Sequence, residues 1–140
     1  MAYDSNNVFA KILRGELPCH KVYEDDHTLA FMDIMPQVDG HTLVIPKVEA
    51  ITLFDLSPAQ LGNVMATTQT VAAAVKKAFD FPGIVLFQLN GAEAGQTVPH
   101  LHFHILPSSL GSMMQRGHGA KMEDQQKLAD FAARIRAALG

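Results

Sequence analysis

Tryptophan is absent from the 140 residues, and cysteine occurs once, as Cys19. A lone thiol excludes an intrachain disulfide and with it the disulfide-framed class of small secreted domains. No run approaches the ~18 apolar residues of a membrane-spanning helix. The opening stretch MAYDSNNVFAK has no apolar signal core, so the cytoplasm is the predicted compartment. Lys and Arg number 11 against 14 Asp and Glu, a net charge of −3, and they form no cluster. A nucleic-acid polymer needs a basic stripe to neutralise its phosphates, which excludes that partner. A single nucleotide is not excluded, because backbone N–H groups and a few side chains can hold one. Repeats, low-complexity tracts and a dividing linker are missing as well. The remaining composition, 48% hydrophobic and 18% charged, suits one domain over 1–140. A domain of this size buries about two-thirds of its unfolded surface, so a core is within reach without disulfide or metal.

The residue pattern predicts alternating short elements. NNVFAKILRGE reads as a short helix ending at Gly15. KVYED, HTLAFMDI, HTLVIP, GIVLFQL and HLHFHIL read as five strands. Ser57, Pro58 and Gln60 form a helix start with a capping box. Leu61, Val64, Met65, Thr68, Val71, Ala72, Val75 and Phe79 then keep helical spacing up to Pro82 and Gly83. Residues 107–121 have Ser, Gly and Pro without a sustained period and read as a loop. A last helix covers about 123–138, with Leu128, Phe131, Ala132 and Ile135 inward. Strands close in sequence with helices beside them predict an α+β fold around an antiparallel sheet.

The segment VPHLHFHILP, residues 98–107, carries three of the seven histidines. Side chains alternate across a strand, and residues two apart lie about 6.6–6.8 Å from each other on one face. His100, His102 and His104 therefore share a face, and Leu101, Phe103 and Ile105 point to a core. Three readings are open. The imidazoles could be solvated, they could bind a metal, or they could perform acid, base and nucleophile chemistry on an anion. The segment itself offers no Asp or Glu to support a metal. Neutral imidazole is a nucleophile at pH 7, and imidazolium donates hydrogen bonds to phosphate. Just upstream, NGAEAGQTV has small residues that let backbone N–H groups approach phosphate oxygens.

HLHFHIL resembles the His-φ-His-φ-His-φ-φ signature of the histidine triad (HIT) superfamily. The likeness extends through FAKILRGELPCHKVYEDDHTLAFMDIMPQVDGHTLVIPK and NGAEAGQTVPHLHFHILP, roughly residues 8 to 107. It implies a five-stranded antiparallel sheet with flanking helices, paired in a homodimer into one continuous sheet. The domain would have its core at 5–107 and a C-terminal loop and helix at 108–140. The implied activity is that of a bacterial-type HIT nucleotide hydrolase or nucleotidyl transferase. It would act at the α-phosphate of purine nucleoside 5′-phosphoramidates or related AMP conjugates. The resemblance makes His102 the nucleophile, with His100 and His104 assisting at phosphate and leaving group and His41 as the fourth histidine. Asp33 would bind the ribose hydroxyls and Ile34 the base. Asn90, Gly95, Gln96 and Thr97 match the phosphate-contacting loop.

Taken alone, Asp33 also suits a turn cap, His41 an ordinary strand start, and Ile34 a core position. Phe9 and Phe31 read as core; Cys19, His20 and His27 read as surface or packing residues. The chain departs from its family at several points. Bacterial relatives often hold structural zinc at a Cys-x-x-Cys and a later histidine; here Asn7, Ala10 and Glu49 stand there. No metal and no cofactor are therefore expected. Thr97 replaces the serine usual in phosphoramidases, EAGQTV at 93–98 matches dinucleoside polyphosphate hydrolases, and a C-terminal Trp is missing. A diadenosine polyphosphate is thus the alternative substrate, and a nucleotide-binding regulator with incidental turnover the alternative class.

Overall fold

Five antiparallel strands form one sheet in the order β1-β2-β3-β5-β4 in the computed structural model, which describes residues 2–116 and 121–140. The strands are β1 (Lys21–Glu24), β2 (Thr28–Met32), β3 (Thr42–Pro46), β4 (Val85–Gln88) and β5 (Phe103–Leu106). The helices are α1 (Val8–Leu13), α2 (Pro58–Ala78), α3 (Leu110–Arg116) and α4 (Gln125–Ala138). Among the described residues no helix is long and apolar enough to cross a membrane.

Local chemistry explains the element ends. Asn7 caps α1 by accepting the Ala10 N–H at 2.9 Å. Asp25 turns β1 into β2 by accepting the His27 and Thr28 N–H groups, each at 2.8 Å. The Ser57–Gln60 capping box is complete, with both reciprocal bonds formed. Gly40, at φ +91°, begins the turn into β3; a Cβ there would meet Pro107 at 2.8 Å and Phe79 at 2.9 Å. Only glycine fits that close crossing, and it sets the position of the next residue, His41.

The sheet has two unlike faces. One presents Ala30, Met32, Val44, Phe103 and Ile105 to Val64, Val71 and Val75 of α2 and to Leu128, Ala132 and Ile135 of α4. The other carries Leu29, Phe31, Leu43 and Ile45 beneath Phe9 of α1. His104 belongs to this second face, opposite Leu43 on β3 and Phe87 on β4.

Two expectations are corrected. The strand foreseen over 100–106 is shorter, because His100, Leu101 and His102 lie outside the ladder. Their polar groups bond to side chains and to residues 46 and 50 instead. The stretch foreseen as a loop contains α3. Leu110 and Met114 on that helix are exposed, so it buries no apolar stripe and shows no period. A local signal was present: Ser109 Oγ accepts the Ser112 N–H at 3.1 Å, as an N-cap does. Residues 117–120 of the expected loop lie outside the described residues.

Candidate active site

His41 just before β3, His104 on β5, and His100 and His102 in the segment before β5 gather on the α1 side of the sheet, and all four are buried. Hydrogen bonds with groups of one fixed sense decide where the protons sit on three of them.

His102 places Nδ1 2.7 Å from the His100 carbonyl. A carbonyl only accepts, so Nδ1 carries the proton and Nε2 keeps its lone pair. Phe9 meets the His102 ring edge-on at 4.9 Å. Burial lowers the pKa of His102, while the His100 carbonyl and the Asp33 charge act to raise it. The net effect keeps the ring neutral at pH 7.

His41 accepts the Gln37 N–H on Nδ1 at 3.1 Å. The proton of neutral His41 is therefore on Nε2, which lies 2.9 Å from His104 Nδ1 and 3.4 Å from Asp33 Oδ2. His104 then accepts on Nδ1 and carries its own proton on Nε2. Its ring stacks on Phe87 at 4.1 Å and 12° and stands 4.8 Å from the His102 ring. Asp33, just after β2, is held by a bond from its N–H to the His41 carbonyl at 3.0 Å. Its Oδ1 accepts the Met35 N–H at 2.9 Å. The carboxylate absent from the histidine segment is thus brought in from the end of β2, across β3 from β5.

His100 differs from the other two members of the row. It is fully buried, its Nε2–H donates to the Pro46 carbonyl at 2.9 Å, and Tyr3 Oη lies 2.5 Å from Nδ1. Both ring nitrogens are committed to the protein. Burial pushes its pKa down to about 4. The His100 main chain holds His102 through its carbonyl.

The loop at 90–98 turns through Gly91 at φ +96° and Gly95 at φ +110°, conformations that suit glycine. Gln96 braces it, accepting the Gly91 N–H at 2.7 Å and donating to the Ile51 and Val98 carbonyls at 2.7 and 3.0 Å. Asn90 accepts the Leu53 N–H at 2.7 Å and pairs amide to amide with Gln88. The side chains of Asn90 and Gln96 therefore shape the loop, whereas Thr97 is exposed. Ile34, read as core-like from its type, is 41% exposed beside Asp33. Phe9 and Phe31 are buried as expected.

Sequence reasoning missed Tyr3, Phe87 and the Pro46 carbonyl. No motif marks Tyr3 or Pro46, and Phe87 joins the site only through the β4–β5 register. Among the described residues, Asp33, His41 and His104 could hold a metal, their ligand atoms lying within 4.8 Å of one another. That site would have to displace the His41 proton shared with His104. Asn7 is spent on capping α1, Ala10 is buried and Glu49 is exposed.

The chain matches the HIT domain model over residues 14–110. An uncharacterised HIT-like protein of Azospirillum brasilense is 43% identical over 120 residues, 82% of this chain and 97% of that one. The adenylylsulfatase HINT3 of Arabidopsis thaliana is 41% identical over 123 residues, 84% of this chain and 62% of that protein. A crystal structure of a Hit-like protein from Bartonella henselae superposes with a TM-score of 0.91 at 48% identity, covering 99% of this chain and all of that one. Sequence and fold agree, and the chain belongs to the HIT family of nucleotide-binding hydrolases and transferases.

Proposed function

We propose that this chain cleaves purine nucleoside 5′-phosphoramidates or related AMP conjugates at the α-phosphate through a nucleotidyl-His102 intermediate. The observation that carries this reading is the His102 tautomer. Its Nδ1–H is held by the His100 carbonyl at 2.7 Å, which leaves Nε2 as the nucleophilic lone pair. That lone pair attacks phosphorus, and the bond from phosphorus to the leaving nitrogen or oxygen breaks. The His104 Nε2–H hydrogen-bonds the leaving atom and offsets the charge that builds there, and the leaving atom takes its proton from solvent. His41 keeps the His104 proton on Nε2 by donating to its Nδ1 through the 2.9 Å bond. Water then attacks phosphorus, the bond to His102 breaks, and the water proton is released to solvent, which balances the proton taken up by the leaving group.

In this reading Asp33 accepts the ribose hydroxyls, Ile34 covers the base, and the backbone at Gly95 and Thr97 receives phosphate oxygens. Asn90 and Gln96 serve phosphate indirectly, by shaping that loop. The adenylylsulfatase name of one relative favours an AMP conjugate. The EAGQTV sequence at 93–98 favours the second reading, a diadenosine polyphosphate. The fold is proposed to be one domain over 1–140, metal-free and cytoplasmic, and to work as a homodimer. Met65 and Ala72 of α2 and Leu86 of edge strand β4 line an open recess that a second copy would cover.

The test compares kcat/KM for an AMP-amine conjugate, an acyl adenylate, adenylyl sulfate and diadenosine polyphosphate. A quenched sample is analysed for adenylylated peptide. Preference for a one-nucleotide conjugate with adenylyl on the His102 peptide supports the first reading. Preference for the dinucleotide supports the second, and AMP binding without turnover of any substrate leaves the regulator.

A further inference from the structure

We propose that Tyr3 is a positioning residue for the nucleophile, acting through His100; this rests on reading His102 as the attacking group. The His100–Leu101 peptide plane is held on both edges. Its carbonyl receives the His102 Nδ1–H at 2.7 Å, and its N–H, that of Leu101, donates to the Ala50 carbonyl at 2.9 Å. The side chain carried by that plane is pinned as well. Pro46 accepts from His100 Nε2 at 2.9 Å, which forces the lone pair onto Nδ1, where only a donor can satisfy it. Tyr3 supplies that donor, at 2.5 Å, with its ring edge-on to the imidazole at 5.6 Å and 71°.

The consequence is a strut running from the phenol through the imidazole to the carbonyl behind His102. Without the hydroxyl, Nδ1 of a fully buried ring loses its partner. The alternative tautomer, with the proton on Nδ1, would put the Nε2 lone pair against the Pro46 carbonyl. The ring must then tilt or turn, and its own backbone carbonyl moves with it. A shift of about an ångström at a nucleophile can cost up to about a hundredfold in rate without loss of binding. Asn7 and Glu49 both act on the Tyr3 hydroxyl, so the phenol is itself set among polar groups. Tyr3 touches no reacting atom; its influence runs only through His100.

Three measurements on the full chain test this. The first is Tyr3→Phe kinetics on an AMP-amine conjugate: kcat should fall about tenfold, with KM changed less than about twofold. The second is imidazole ¹H–¹⁵N spectroscopy at pH 7. Wild type should show His100 protonated on Nε2 and His102 on Nδ1, and Tyr3→Phe should show both mixed or broadened. The third is Tyr3→Ala with added p-cresol or toluene; p-cresol should restore kcat and toluene should not, because toluene refills the space without the hydroxyl. Unchanged kcat with unchanged tautomers in Tyr3→Phe overturns the proposal, as does equal rescue by toluene. If wild type turns over no AMP conjugate, the functional reading fails, yet the imidazole spectra still decide the strut. Should Tyr3→Ala not fold, the Phe variant decides alone.

Discussion

His102 donates its Nδ1 proton to the carbonyl of His100, two residues earlier, at 2.7 Å. A backbone carbonyl cannot take the proton away, so it orients the ring and leaves the lone pair on Nε2, the atom proposed to attack phosphorus. His102→Asn should therefore lower kcat by at least about a thousandfold while AMP binding is largely kept. Quenched wild-type enzyme should carry adenylyl on the His102 peptide, and the variant should not. Near-wild-type turnover by His102→Asn would remove the nucleophile assignment. His104→Asn should slow turnover less, since His104 forms no bond to phosphorus.

Asp33 stands beside His41 with Oδ2 3.4 Å away, and its Oδ1 accepts the Met35 N–H. A charged acceptor for ribose hydroxyls contributes about 1.5–3 kcal/mol. Asp33→Ala should then weaken AMP binding roughly ten- to a hundredfold. Titration calorimetry with AMP and with its 2′,3′-dideoxy analogue checks this. An equal loss for both ligands would place the effect on His41 and His104 instead of on the ribose.

His100 should make the fold acid-sensitive. Its pKa is pushed from 6.5 down to about 4 by burial. Above pH 6.5 neither folded nor unfolded chain is protonated there, so the contribution is intact. Between pH 6.5 and 4 the unfolded chain gains a proton that the folded chain refuses, and stability falls by about 3 kcal/mol. Burial shifts His102 in the same direction. Denaturant unfolding at pH 7 and pH 4.5 should show this loss in wild type, and a smaller one in His100→Gln. Identical pH dependence in the two proteins would rule it out.

The proposed homodimer predicts a mass of about twice 15.2 kDa at sedimentation equilibrium. Leu86 is 43% exposed on β4 and Met65 36% exposed on α2. A charge on such a surface opposes its burial between two copies, so Leu86→Glu should shift the equilibrium toward monomer. A wild-type monomer at micromolar concentration counts against the dimer.

Elemental analysis of purified, tag-free protein should find far less than one zinc per chain. Asn7 spends its side-chain oxygen on the Ala10 N–H, and Ala10 offers no ligand atom. A stoichiometric zinc would point to Asp33, His41 and His104, the one set of ligand-bearing side chains that converges among the described residues.

Local features were readable without the structure. The Ser57 capping box, the β2 and β3 hydrophobic runs and the long α2 pattern depend on neighbours a few residues away, and each formed where its pattern lay. Alternation along 100–105 put Phe103 and Ile105 into the helix-side core. It also grouped His102 and His104, because side-chain direction in an extended chain is a property of the backbone. Even the carbonyl partner of His102 is local, two residues away.

What only the tertiary structure decided is which partners the chemically similar histidines take. His104 meets His41 across 63 residues, and His100 meets Pro46 across 54 and Tyr3 across 97. No periodicity encodes those pairs. They follow from strand order, which sets β3 and β5 side by side, and from α1, which returns the N-terminal residues to the sheet. The same holds for Ile34, whose exposure depends on what the fold lays over it and not on its residue type. Residue type and spacing therefore determined that imidazoles would gather on one face. Long-range contacts determined which ring nitrogen of each carries the proton, because a tautomer is set by the partner that packing brings within hydrogen-bond reach.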